Sequence, residues 1–120
     1  MPLPMAVCLF TKPEDFYYEL DRRGMTGERP PFVPDGATAC VHRFDGNDGT
    51  EVNVICFDMK KCKGKPAHVM LGMLAHEVTH VKQHCMEYIG EHSPSKEFEA
   101  YSMQHIFEEA AKELLRQMKC

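Results

Sequence analysis

The stretch that most constrains this chain is Met73-Leu74-Ala75-His76-Glu77-Val78-Thr79-His80-Val81, in which His-Glu-x-x-His sits inside an apolar run. Around it Met70, Leu71, Met73, Leu74, Val78, Val81, Cys85 and Ile89 recur at helical spacing. Pro66 suits the first turn of such a helix and Gly90 its end, so one helix is expected over residues 67–89. Residues four apart lie one turn above each other on the same face. His76 and His80 can therefore aim two imidazoles at one point, as a zinc ion requires. Glu77 lies about 100° round the helix, where a carboxylate reaches a water beside the metal without taking a ligand position. The plainer reading is a core helix with two incidental histidines. The helical context and the uncharged flanks Ala75 and Val81 favour the metal.

At 120 residues the chain is expected to form a single domain, residues 1–120, with a real core. Hydrophobic residues make up 43% and charged residues 27%, the balance of a folded domain rather than a disordered one. A formal charge of −4 argues against nucleic acid as the main partner. The six cysteines form no Cys-x-x-Cys pair, which weakens zinc-knuckle and redox-motif readings. The N-terminal stretch lacks a basic region and carries Pro2 and Pro4, a poor signal peptide, and no run has the length of a membrane span. A cytoplasmic protein with reduced thiols is expected, each cysteine serving as a small hydrophobe.

Residues 5–10 read as a short strand. Thr11-Lys12-Pro13-Glu14 reads as a helix start, with Thr11 as N-cap, and Phe16, Tyr17 and Leu20 give that helix its apolar side before Gly24 ends it. Residues 24–37, with Pro30, Pro31 and Pro34, read as a connecting loop rather than a cover over a site. Residues 38–44 and 50–57 flank an Asp/Gly/Asn turn and predict a β-hairpin. Val52, Val54 and Cys56 alternate with Glu51, Asn53 and Ile55, the pattern of a sheet with one face on the core. An exposed edge of such a hairpin is suited to pairing with an extended peptide. Lys60, Lys61, Lys63 and Lys65 read as a solvated loop. Ser93-Pro94 reads as the cap and first turn of a last helix, with Ala100, Met103, Phe107, Ala110, Ala111, Leu114 and Met118 as its buried stripe.

A catalytic zinc takes three protein ligands and keeps one open position. The last helix offers two carboxylates near its start, with sixteen residues between His80 and Glu97 and eighteen between His80 and Glu99. Both lie about 80° from the centre of the apolar stripe, on opposite sides, so periodicity does not choose between them. Transition-state stabilisation in such sites often comes from a tyrosine or histidine donor. Tyr101, Tyr88, His42 and His105 are candidates, and Tyr101 alone adjoins the proposed ligands. His84 continues the series His76, His80 at the edge of the metal face; it is a candidate for supporting the site or touching substrate, but an exposed histidine is the favoured reading.

Ala75-His76-Glu77-Val78-Thr79-His80 followed by Glu97-Phe98-Glu99-Ala100-Tyr101 resembles the zincin metallopeptidases, and within them the gluzincin branch. Several gluzincin families carry Glu-x-x-Ala followed by Asp or Asn, with the first Glu on zinc. That register makes Glu97 the ligand, while Tyr101 departs from the Asp or Asn. Other gluzincins place eighteen residues before the ligand, which selects Glu99. The chain is also similar, over residues 70–107, to small metallopeptidase-like proteins of phages and prophages. The resemblance implies a zincin-like α+β fold: a small antiparallel-containing sheet, the motif helix and a C-terminal glutamate-bearing helix. It also implies a zinc-dependent peptidase acting on a peptide or protein substrate, with Glu77 as general base. A domain that holds zinc only to shape a regulatory or protein-binding surface is the alternative.

Overall fold

The computed structural model describes residues 5–25, 29–45, 50–88 and 96–119, with the backbone alone at Tyr88 and Glu97. The order of elements is β1 (Met5–Phe10), α1 (Pro13–Arg22), β2 (Ala39–Asp45), β3 (Glu51–Phe57), α2 (Ala67–Tyr88) and α3 (Lys96–Met118). The expected hairpin is present as β2 and β3, paired antiparallel with Val41 opposite Ile55. β1 pairs in parallel with the other side of β3, so the sheet order is β1-β3-β2 and β3 is central. The architecture is α+β, with three helices on a three-stranded mixed sheet.

The central position of β3 corrects the one-sided expectation for the hairpin. All seven residues of β3 are buried, because both faces of the sheet are covered. On one face Leu9, Ile55 and Phe57 pack against Met70, Leu74, Val78 and Val81 of α2 and Ile106, Ala110 and Leu114 of α3. On the other, Val52, Val54 and Cys56 pack against Phe16 and Leu20 of α1 and against Phe32. Each large side chain so buried contributes about 1.5–3 kcal/mol. The described part of the Pro-rich loop belongs to this second layer. Phe32 inserts its ring 5.6 Å from that of Phe16, and Tyr17 donates its hydroxyl to the Pro30 carbonyl at 2.8 Å. The loop thus closes the α1 side of the sheet, away from α2.

α1 begins one residue later than Thr11 capping implies. Lys12 is the N-cap residue, with no side-chain cap. Thr11 instead sends both its amide and its hydroxyl, each at 2.9 Å, to Oε1 of Gln117 on α3. The far end of α1 follows expectation. Gly24 takes a φ of 72°, its amide reaches the Asp21 carbonyl, and the Met25 amide reaches that of Leu20, the paired bonds of a Schellman motif. α2 starts where the Pro66 carbonyl accepts from the Val69 and Met70 amides. Ile89, Gly90 and the Ser93-Pro94 cap lie outside the described residues. Among the described residues no helix is long and apolar enough to cross a membrane.

Candidate metal centre

α2 buries Leu74, Val78, Val81 and Cys85 completely, and that stripe fixes where every other residue of the helix points. His76 and His80 fall on the solvent side and are exposed. Their rings meet edge-on with centroids 4.9 Å apart, and the two Nε2 atoms lie 3.3 Å from each other. Two nitrogens bonded to one tetrahedral ion at 2.0–2.1 Å are separated by about 3.3 Å. The pair is therefore spaced as the edge of a zinc tetrahedron. On its other side His80 places Nδ1 3.2 Å from Oε1 of Gln83. A proton held there by the amide oxygen leaves Nε2 as the free lone pair, the support that metal-ligating histidines generally have.

Glu77 sits between this solvent-facing pair and the core. It is 6% exposed, and one carboxylate oxygen, Oε2, is buried without a hydrogen-bond partner. Its ligand atoms and those of the two histidines lie within 4.8 Å of one another. Burial pushes the carboxyl above its ordinary range; His76 and His80 pull it down, and Cys40 adds a smaller upward push. A buried carboxylate oxygen that lacks a partner and faces two convergent imidazoles fits a metal with its bound water.

The remaining sequence-named residues divide. His84 is half-buried rather than on the surface, and its Nδ1 lies 2.6 Å from Oδ1 of Asn53 on β3. Burial, followed by the nearby Arg43 charge, holds its pKa below the ordinary value. Glu77 precedes it by seven residues, about 20° round the helix, so both lie on the flank that meets the sheet. Arg43 of β2 reinforces that seam, pairing with the buried Glu51 and, at 2.7 Å, with Glu87. Glu99 is held elsewhere: Lys82 Nζ contacts its carboxylate at 2.6 Å. Lys82 points about 120–160° round α2 from the two histidines, so Glu99 as placed does not join their group. The Glu97 side chain lies outside the described residues, as does that of Tyr88. Tyr101 is 65% exposed on α3. His105 is exposed and lines a groove between α3 and β1, and His42 stacks on Phe16 on the α1 face of the sheet. Neither histidine belongs to the His76–Glu77–His80 group.

A second group was not anticipated from sequence. Cys40, His42 and Cys56 bring their ligand atoms within 4.8 Å of one another, while both cysteines also pack in the layer of Phe16 and Phe32 as small hydrophobes. The signal was available. A hairpin centred on residue 48 pairs Cys40 with Cys56, and Cys40-x-His42 on a strand puts both side chains on one face. The Cys56 hydrogen bond pulls the Cys40 thiol down, against burial and with help from His42, and the same bond together with burial pushes the Cys56 thiol up. All five described cysteines are free.

Comparison with family models, with curated proteins and with solved structures returned no match to this chain.

Proposed function

We propose that this chain is a zinc-dependent metallopeptidase with a minimal zincin-like fold. The observation that carries the reading is the pair of Nε2 atoms 3.3 Å apart beside the buried, unpartnered Oε2 of Glu77. His76 and His80 would hold the ion, with Glu97 as the third ligand on the strength of the Glu-x-x-Ala register. Glu99 could serve only after leaving Lys82. When bound, zinc lowers the pKa of its water and polarises a substrate carbonyl. Glu77 accepts the proton of the attacking water and returns it to the leaving amine nitrogen. The elevated affinity of its carboxyl for a proton suits both halves of that transfer. Gln83 fixes the His80 ring. Among the described residues β2 is an outer strand of the sheet beside α2, so its edge is suited to an extended peptide. A peptide or protein substrate fits this arrangement, and a reducing, cytoplasmic setting fits the free thiols.

The test combines metal content with turnover. Purified without a metal-binding tag, the protein should carry zinc that His76→Ala and Glu97→Ala lose. Incubated with a library of unstructured peptides, it should produce cleavages by mass spectrometry that vanish in Glu77→Gln while zinc is kept. Zinc bound in wild type without any cleavage would favour the non-catalytic zinc domain. Cleavage that survives Glu77→Gln would remove the general base.

A further inference from the structure

The Cys40–His42–Cys56 group lies on the opposite face of the sheet from the site just described. The α1-side residues of the hairpin alternate with those facing α2. Cys40 stands opposite Cys56, and His42 is the next residue on that face. Cys56 is fully buried, while Cys40 and His42 are half-buried. The Phe32 carbonyl closes the group from the loop, 3.4 Å from Cys40 Sγ and 2.9 Å from His42 Nε2. Cys40 Sγ and His42 Nε2 are themselves 3.4 Å apart. The His42 ring is fixed by stacking 5.0 Å from Phe16.

We propose that Cys40, Cys56 and His42, completed by the Phe32 carbonyl, form a second metal site that takes a divalent thiophilic ion such as zinc. Three physical arguments lead there. The first is spacing. Bonds of about 2.3 Å to sulfur and 2.0–2.1 Å to nitrogen and oxygen give tetrahedral edges of about 3.5 Å for sulfur to nitrogen or oxygen and about 3.4 Å for nitrogen to oxygen. The two edges from Cys40 Sγ to the nitrogen and the oxygen are already met at 3.4 Å, and Cys56 Sγ lies within 4.8 Å of both Cys40 Sγ and the His42 ligand nitrogen. The 2.9 Å edge carries a hydrogen bond that the ion would replace, with a widening of about 0.5 Å.

The second argument separates a metal from a disulfide. The Asp58 amide donates to the Thr38 carbonyl, and these residues continue the β2–β3 register by one step. Hydrogen-bonded and non-hydrogen-bonded pairs alternate along an antiparallel ladder, so Cys40 and Cys56, two steps on, are a hydrogen-bonded pair. Such pairs hold their Cβ atoms at the wide end of the cross-strand range, about 5.5 Å, whereas a disulfide needs about 3.5–4.5 Å. Two thiolates so placed straddle an ion rather than bond to each other. The third argument is charge. Two thiolates and one divalent ion sum to zero, with a neutral imidazole and a carbonyl as the other ligands. A neutral complex is tolerated among Phe16, Phe32 and Phe44, where a net charge would cost several kcal/mol. Binding releases the two thiol protons to solvent.

This site does not depend on the peptidase reading, and its test keeps the two apart because only it contains sulfur. The probe is cobalt(II) titrated into the full chain, followed by thiolate-to-cobalt charge-transfer absorption. Wild type and His76→Ala/His80→Ala should both develop the band, the double variant saturating at one equivalent, and Cys40→Ser should lose it. Absence of the band from the double variant, or its persistence in Cys40→Ser, would overturn the proposal. Cys56→Ser replaces a fully buried side chain and is at risk of unfolding, so a second measurement uses the unaltered protein. With zinc at about 100 times its Kd, alkylation of Cys40 should slow about 100-fold. Unchanged labelling, or a Cys40–Cys56 linked peptide lighter by two hydrogens in protein as purified, would equally refute it.

Discussion

Replacing Gln83 by alanine tests whether His80 is a ligand rather than a histidine that happens to face another. Gln83 is exposed, and among the described residues its one side-chain bond accepts from His80 Nδ1 at 3.2 Å. Removing an exposed side chain of this kind changes the stability of the metal-free fold by no more than about 0.5 kcal/mol. The same bond fixes the tautomer that leaves Nε2 free for the ion, and loss of such a support typically costs about 10–100-fold in metal affinity. Water competes for Nδ1 at this surface position and the bond is long, so the lower figure applies, about tenfold or 1.4 kcal/mol. The measurement is zinc affinity by competition with a chromophoric chelator, made in a Cys40→Ser background that removes the sulfur site. Urea unfolding of the metal-free forms runs alongside. Gln83→Glu keeps an acceptor at the same reach and should recover the affinity. An affinity unchanged in Gln83→Ala, with His80→Ala abolishing binding, would show that the imidazole needs no orientation. An affinity unchanged in both would remove His80 from the site altogether.

Glu77→Gln should stabilise the metal-free protein at neutral pH by about 1 kcal/mol in urea unfolding, because it removes a buried charge whose Oε2 has no partner. His84 has a folded pKa below its unfolded one, so its contribution is complete above about pH 6.5 and is lost as pH falls from there through the folded value. Urea midpoints of the metal-free chain measured at pH about 7.5 and about 5 should therefore differ more in wild type than in His84→Gln, and an equal drop in both would refute the assignment. Gln117→Ala should cost about 1–3 kcal/mol, since it strands the buried Thr11 amide and hydroxyl together with the Leu9 carbonyl. A midpoint within error of wild type would mean that water takes over these bonds.

What the sequence made legible was local. The strand at 5–10, the hairpin, the motif helix and the last helix are each visible as periodicity between turn formers, and each is present in order. The candidate site was legible as far as it lies on one helix, because a spacing of four is itself a geometry. What was not legible depends on partners distant in the chain. β1 beside β3 turns a hairpin strand into the centre of a two-faced sheet, which alternation in β3 alone does not encode. Thr11 looked like a cap because its neighbours are right for one, but its amide and hydroxyl both donate to Gln117, 106 residues away. Glu97 and Glu99 looked equivalent by angle. Lys82 distinguishes Glu99, and it is seventeen residues away on another element.

The polar groups buried against α2 carry the last step. Four buried side-chain atoms among the described residues lack a hydrogen-bond partner: Glu51 Oε2, Asn53 Nδ2, Glu77 Oε2 and Ser102 Oγ. Glu51 and Asn53 are alternate residues of β3 and so share a face, and the Asn53–His84 bond identifies that face as the one toward α2. Glu77 stands on the same flank of α2 as His84. Three of the four unpartnered atoms thus collect along one seam, below the histidine pair. Each costs about 1–3 kcal/mol, against a total stability of about 5–15 kcal/mol for a domain. Apolar residues would fill this seam at lower cost, as they do along the rest of α2. A chain that keeps carboxylates, an amide and a half-buried imidazole there departs from its own folding logic at one place. Departures of that kind collect where a protein works, and this one lies beneath the two nitrogens spaced for a metal.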